Sequence, residues 1–323
     1  DAVGVFTGDA LFIGDVGRTD FFPDAAGEVA GLLYDSIHNK ILPLGDQAIL
    51  YPAHGAGSVC GSGMAERDFS TLGYERRNSP RLKLDREAFI KAKTNEHHYL
   101  PPYFKKMEEF NLDGPPLTGG PVLPPPLSPA AIDEARKKGA QLIDIRSPEA
   151  FAGAFVPGSL ALPCSMIPVY GGWFLDYERP IYLIPPEDGY PVLQEACRHL
   201  FRIGYDNIAG FLSGGMFAWE TDGRPYDHIP TIFSGDLLKE LKKGSDLTVL
   251  DVRKKEEWDE DHLKEAVHIY LGRLPDELEK LDKNKTVVTL CGSGRRAVIA
   301  ASLLRGRGFS RVMDALGAMQ AVD

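Results

Sequence analysis

Val287-Val-Thr-Leu-Cys-Gly-Ser-Gly-Arg-Arg-Ala-Val-Ile-Ala300 reads as a strand, a glycine-bearing turn and a helix. The apolar, β-branched run Val287 to Leu290 fits a buried strand. The residues from Arg296 to Arg305 have helical spacing, with Gly306 as a natural stop. Cys291 stands at the end of the strand, where Gly292 and Gly294 open the turn to unusual dihedrals. Backbone N–H groups after the cysteine can then curl around its sulfur. The positive end of the helix points at it, and Arg295 and Arg296 add charge. All three effects stabilise an anion on sulfur. A cysteine that only fills a core needs neither the two glycines nor the two arginines.

Outward from this stretch, the chain repeats itself. Asp144-Ile-Arg-Ser-Pro-Glu-Ala-Phe151 matches Asp251-Val-Arg-Lys-Lys-Glu-Glu-Trp258, and each follows an apolar run that reads as a buried strand. Ile181-Tyr-Leu-Ile184 matches Val287-Val-Thr-Leu290, and Gly215-Met-Phe-Ala-Trp219 matches Ala318-Met-Gln-Ala-Val322. The offsets are 107, 106 and 103 residues, which indicates two copies of one domain of about 100 residues. In the first copy, Pro191 to Phe201 reads as a helix stopped by Gly204. Strands alternating with helices predict α/β domains on mostly parallel sheets. Upstream, the run from Asp113 to Pro129 is too rich in proline and glycine for a helix or a central strand and reads as a linker. The division expected is 1–122, 123–229 and 230–323.

Composition narrows the function classes. The 323 residues carry 36 Lys+Arg against 46 Asp+Glu, a formal charge of −10. That balance argues against nucleic acid or an anionic membrane as the main partner. No apolar stretch reaches the roughly 18 residues of a membrane helix. Four cysteines in a chain of this length do not make a disulfide scaffold, so a reducing, cytoplasmic setting is expected. A homo-oligomer is compatible with all of this.

Both copies resemble the rhodanese domain, across residues 125–323. The matching pieces are Asp251-Val-Arg253 with Glu256 and Trp258, His262-Leu-Lys-Glu-Ala-Val-His268, and the Cys291 loop. The resemblance implies that Cys291 accepts sulfane sulfur as a persulfide and passes it to a thiophilic acceptor. The amides of Gly292, Ser293, Gly294, Arg295 and Arg296 would stabilise the persulfide, and the two arginines would attract an anionic donor such as thiosulfate. Asp251 and Arg253 would brace the fold beneath the loop. Cysteine phosphatases also close a loop with arginine, but with five residues between Cys and Arg; here Cys291 and Arg296 have four between them, a smaller cradle that favours sulfur. In the first copy Pro185 aligns with Cys291, and Glu187 and Asp188 follow. Proline is no nucleophile and the carboxylates repel anions, so this copy is expected to be inactive. Cys197 reads as core packing, and Cys164 carries no signal.

The first segment contains Phe6-Thr-Gly-Asp9, Gly17-Arg-Thr-Asp20 and Tyr51-Pro-Ala-His54. It resembles the C-terminal half of the metallo-β-lactamase αββα fold, in its persulfide dioxygenase branch. The resemblance implies Asp9 and His54 as metal ligands, Arg18 as holder of a substrate carboxylate, and a mononuclear Fe(II) in the complete domain. The family's His-x-His-x-Asp-His run is not found in these residues, so the rest of the iron site is expected on residues before Asp1 or on another chain. Cys60 echoes the Cys291 loop but lacks its arginines, strand and helix. His97 and His98 are adjacent and point different ways, so a solvated segment fits them better than a shared metal.

The expected function is sulfur transfer through a Cys291 persulfide, within a sulfide-oxidising fusion of persulfide dioxygenase and rhodanese. Thiosulfate or a low-molecular-weight thiol persulfide would be the donor, and a thiol or sulfite the acceptor. The alternatives are a non-catalytic sulfur-binding or docking module and a glyoxalase II-like metallohydrolase.

Overall fold

A computed structural model describes residues 2–56, 63–96, 98–117 and 119–321. The chain forms two compact units, Asp1–Tyr99 and Leu100–Asp323.

In the first unit, β1 (Gly4–Gly8) pairs in parallel with β2 (Ile49–Pro52), which pairs antiparallel with β3 (Ser70–Thr71). Helices α1 (Ala26–Ser36), α2 (Leu72–Asn78) and α3 (Arg86–Thr94) share a core with this sheet, built on Leu11, Ile37, Leu50, Leu72 and Phe89. Thr71 and Asp85 start α2 and α3 by accepting from the backbone N–H of Tyr74 and Ala88. The Asp9 turn is crowded. A Cβ at Gly17 would lie 1.8 Å from the Asp9 carbonyl oxygen, so only glycine fits there.

The second unit begins with α4 (Phe104–Asp113). The sequence reading set the domain division at 122, yet Tyr103 and Phe110 pack on Gly172 and Gly204 of the first repeat. Ser128 then caps α5 (Pro129–Lys137), with proline at the first helical position.

The first repeat carries β4 (Pro126–Leu127), β5 (Gln141–Asp144), α6 (Pro148–Gly153), β6 (Leu160–Ala161), α7 (Ile167–Phe174), β7 (Ile181–Ile184), α8 (Tyr190–Arg202), β8 (Ile208–Leu212) and α9 (Gly215–Thr221). The second carries β9 (Thr231–Phe233), α10 (Ser234–Lys242), β10 (Leu247–Asp251), α11 (Lys255–Glu260), β11 (Val267–His268), β12 (Thr286–Leu290), α12 (Arg295–Gly306) and β13 (Val312–Leu316). The sheets run β4-β8-β7-β5-β6 and β9-β13-β12-β10-β11, and every pairing in both is parallel. The internal repeat is therefore a repeat of topology, as the motif offsets predicted. The proline-rich stretch supplies only the edge strand β4, where a missing N–H is tolerated.

Two glycine assignments differ from expectation. Gly306 is the last residue of α12, and the left-handed residue that ends it is Gly308, at φ +85°. Gly292 is not left-handed; Gly294 alone in the Cys291 turn is, at φ +85°. Among the described residues, no helix is long and apolar enough to cross a membrane.

The two repeats are joined by buried contacts. The Ala161 N–H donates to Ser302 Oγ on α12 at 3.1 Å. The Trp173 ring meets Tyr270 edge-on at 5.6 Å, and Gly272 leaves room for its indole, since a Cβ there would lie 2.6 Å away. Arg305 on α12 pairs with Asp227. The helix that follows Cys291 is thus held by both repeats.

Candidate active site

Strand β12 delivers Cys291 to the C-terminal edge of the second sheet, between the buried neighbours β10 and β13. Its carbonyl accepts from the Met319 N–H at 3.0 Å, and the residue is wholly buried. Gly294 is the residue before α12, and its N–H donates to Cys291 Sγ at 3.1 Å. The sulfur therefore sits against the N-terminal end of a twelve-residue helix, where unpaired N–H groups favour negative charge. The left-handed dihedral of Gly294 turns that amide inward. Gly292 serves a different need: a Cβ there would stand 3.2 Å from the Arg296 guanidinium and 3.6 Å from Glu257.

The two arginines divide. Arg295 and Ser293 are exposed, and Arg295 makes no ion pair among the described residues. Arg296 is mostly buried and bound twice by Glu257, Nη1 to Oε2 at 2.6 Å and Nη2 to Oε1 at 2.7 Å. Burial opposes charge on Arg296, but the Glu257 carboxylate outweighs it and holds the guanidinium above its ordinary pKa. Burial likewise opposes ionisation of Glu257, and Arg296 outweighs that, leaving the carboxyl below its usual range. Arg296 is thus a loop brace with its charge answered, and Arg295 is the open cation. This corrects the expectation that both attract a donor. The carboxylate that answers Arg296 is Glu257, which the sequence does not mark; its neighbour Glu256 is exposed. Oε2 of Glu257 also accepts from the Lys254 N–H at 3.1 Å, fixing the carboxylate at the start of α11.

Asp251 and Arg253 form a buried bidentate pair beneath the loop, and Arg253 also donates to the Asp261 carbonyl. Asp144 and Arg146 repeat this arrangement in the first copy, with Arg146 donating to the Ala154 carbonyl. A pair that recurs beside a loop without cysteine is a brace for the fold. The first copy contributes Tyr170, which the sequence reading missed. Burial raises its phenol pKa, while Arg296 and Tyr270 pull it down, so this side chain of α7 faces the second repeat. No local pattern marks it, because its partners Tyr270 and Arg296 lie 100 and 126 residues away.

In the first copy, Pro185 and Pro186 follow β7, with exposed Glu187 and Asp188 before α8. Burial pushes the thiols of Cys164 and Cys197 up to about 11, so both stay protonated at neutral pH.

In the first unit, Asp9 Oδ1 and His54 Nε2 lie 3.0 Å apart, so the fold brings the two candidate ligands together. Among the described residues, however, no three metal-type donors converge. A carboxylate and one imidazole fall short of the three-ligand face that mononuclear iron takes, so these residues alone do not fit an iron site. Arg18 departs from expectation: its side chain is 3% exposed and forks onto Asp20, with Nε to Oδ1 at 2.8 Å and Nη2 to Oδ2 at 2.5 Å. A ligand carboxylate would have to displace Asp20. His98 meets Glu96 at 3.1 Å, while His97 and Cys60 lie outside the described residues.

The rhodanese-like domain family matches residues 128–222 and 234–322. The putative sulfurtransferase YtwF of Bacillus subtilis is 36% identical over 84 residues, 26% of this chain and 82% of that protein. The mouse mitochondrial persulfide dioxygenase ETHE1 is 41% identical over 90 residues, 28% of this chain and 31% of that protein. The chain spans half the length of another relative, the putative sulfur carrier protein YrkF of Bacillus subtilis, at 32% identity over 92 residues, 28% of this chain. A solved structure of a metallo-β-lactamase from Staphylococcus aureus superimposes with a TM-score of 0.53 at 31% identity, covering 65% of this chain and 57% of that one. The repeated parallel sheets, the cysteine loop and these matches agree, and the chain belongs to the rhodanese-like domain family, in a fusion with a metallo-β-lactamase-like segment.

Proposed function

We propose that the chain is a sulfurtransferase that carries sulfane sulfur as a persulfide on Cys291. The observation that carries this reading is the Gly294 N–H placed 3.1 Å from Sγ at the start of α12. A persulfide needs such donors, because its outer sulfur is anionic when formed. With thiosulfate, the Cys291 thiolate attacks the sulfane sulfur; a new S–S bond forms, the old one breaks, and sulfite leaves with the electron pair. An acceptor thiolate or sulfite then takes the outer sulfur and returns Cys291 as thiolate. Arg295 offers an open cation to an anionic donor. The thiosulfate sulfurtransferase GlpE of Coxiella burnetii, 32% identical over 81 residues, 25% of this chain and 76% of that protein, supports this class of donor. Similarity to a persulfide dioxygenase supports a place beside persulfide oxidation, with a low-molecular-weight thiol persulfide as the other donor. Iron would belong to a more complete metallo-β-lactamase-like domain, and no step above runs through it.

The test is peptide mass spectrometry of the chain before and after thiosulfate, with turnover of thiosulfate and cyanide in wild type and Cys291→Ser. One added sulfur on the Cys291 peptide, and loss of turnover in the variant, are expected. Equal turnover in both proteins refutes the enzymatic reading. No added sulfur and no turnover in wild type leaves a docking module.

A further inference from the structure

A cleft of about 620 Å³ runs along one side of the Cys291 loop, between the two repeats. Ser293 and Gly294 form part of its wall, as do Ala152, Ile229, Val298 and Leu316. Gly294 also holds the Cys291 sulfur, so the cleft begins one peptide group from the nucleophile. Asp314, on β13, lines it. Its side chain is almost wholly buried, and Oδ1 has no hydrogen-bond partner among the described residues. Glu149 of the first repeat stands at the same cleft, and no lysine or arginine lines it among the described residues; His228 is the other titratable group there.

A buried carboxylate oxygen without a partner is costly unless a proton or a cation answers it. Burial, with the Glu149 charge adding to it, raises the pKa of Asp314 to about 7. An ammonium beside it would restore its ionised form. Small anions find two carboxyl groups here and meet their cation, Arg295, on the exposed side of the loop. The ligand complementary to an apolar cleft with acidic groups is a small cation with a reactive end toward the loop.

We propose that this cleft is the acceptor subsite and takes an aminothiol, a small thiol bearing an ammonium group held by Asp314 and Glu149. The inference rests on the Cys291 persulfide reading above. The acceptor thiolate, its proton lost to water, attacks the outer sulfur of the protonated Cys291 persulfide. The acceptor–sulfur bond forms, the bond from Cys291 sulfur to the outer sulfur breaks, and the electron pair stays on Cys291. The outer sulfur moves with the proton it has taken from water, so the acceptor leaves as a persulfide, Cys291 returns as thiolate, and no oxidant is required.

The experiment uses the full chain with thiosulfate as donor and three acceptors: cysteamine, 2-mercaptoethanol and 3-mercaptopropionate. The readout is the ratio of kcat/KM for cysteamine to that for 3-mercaptopropionate, compared between proteins so that intrinsic thiol reactivity cancels. Asp314→Asn is expected to lower this ratio about tenfold, and Glu149→Lys to lower it about threefold, with 2-mercaptoethanol between the extremes. Glu149 is exposed, so its variant tests the same cleft without touching a buried side chain. A ratio unmoved in the variants overturns the inference. Wild type that turns over thiosulfate and cyanide yet shows no such shift in its variants sinks the subsite alone. Wild type without that turnover sinks the sulfurtransferase reading with it.

Discussion

Replacing Asp314 by Asn should make the protein more stable, and more so the higher the pH. The carboxyl titrates near 3.8 when exposed and near 7 in the fold. Between those values the folded chain holds a proton that the unfolded chain has lost. Stability from this group is therefore fully present below about pH 3.8 and is lost as pH rises through 7. At 1.36 kcal/mol for each pH unit, moving the midpoint from 3.8 to about 7 corresponds to about 4 kcal/mol. That is a large part of the ~5–15 kcal/mol that stabilises a typical domain. Asn keeps the shape and removes the titration. Urea unfolding of both proteins, followed by tryptophan fluorescence from about pH 4 to about pH 9, gives the difference directly. The variant's advantage should grow with pH and level off above about pH 8. A difference that stays flat across this range refutes the claim that the site holds a carboxyl it cannot solvate.

Three further variants carry expected outcomes. Glu257→Gln removes the fork that occupies Arg296 and leaves that cation open, so KM for thiosulfate should fall severalfold at low salt and depend more steeply on ionic strength; an unchanged KM at low salt counts against Arg296 as a charge held in check. Because the Glu257 carboxyl is held below its usual range, the variant's loss of stability should be full at neutral pH and shrink as the medium is acidified through that lowered value. Gly294→Ala meets open space but keeps a dihedral of +85°, so strain alone should cost about 1–2 kcal/mol and slow persulfide formation, read as the time course of the added sulfur mass. Gly272→Ala puts a Cβ within 2.6 Å of the Trp173 indole and should destabilise the joint between repeats by about 1–3 kcal/mol, seen as a lower Tm; an unaltered Tm would mean the two repeats part freely.

Much of this molecule was legible in its residues because the informative contacts are local. Strand, turn and helix around Cys291 follow from the alternation of β-branched residues, glycine and helix formers over fourteen positions. The absence of a cysteine loop in the first copy is visible in Pro185, Glu187 and Asp188. The repeat of motifs became a repeat of sheet order, strand for strand. The resemblance named Asp9 and His54 as separate ligand candidates, and the fold sets them 3.0 Å apart.

The errors fall where a side chain chooses among partners. Arg296 and Arg18 read as open cations, yet each is forked onto a carboxylate, Glu257 and Asp20. Charge in a sequence shows what a residue can attract; only packing shows what has already reached it. Gly292 and Gly294 look alike in sequence, but one needs space beside Arg296 and the other a left-handed dihedral. Tyr170, Trp173 and Asp314 carry no local signal at all. Their roles arise because the two repeats pack together, bringing α6 and α7 of the first against α12 and the 271–276 turn of the second. By itself, then, the sequence determined the repeated α/β architecture and singled out the Cys291 loop as the candidate site, since these depend on neighbours along the chain. Tertiary structure alone decided which charges are answered, since a side chain two positions away (Asp20 for Arg18) or 39 away (Glu257 for Arg296) can reach the guanidinium only once the chain is folded, and it alone brought Glu149 and Asp314, more than 100 residues apart, to one cleft.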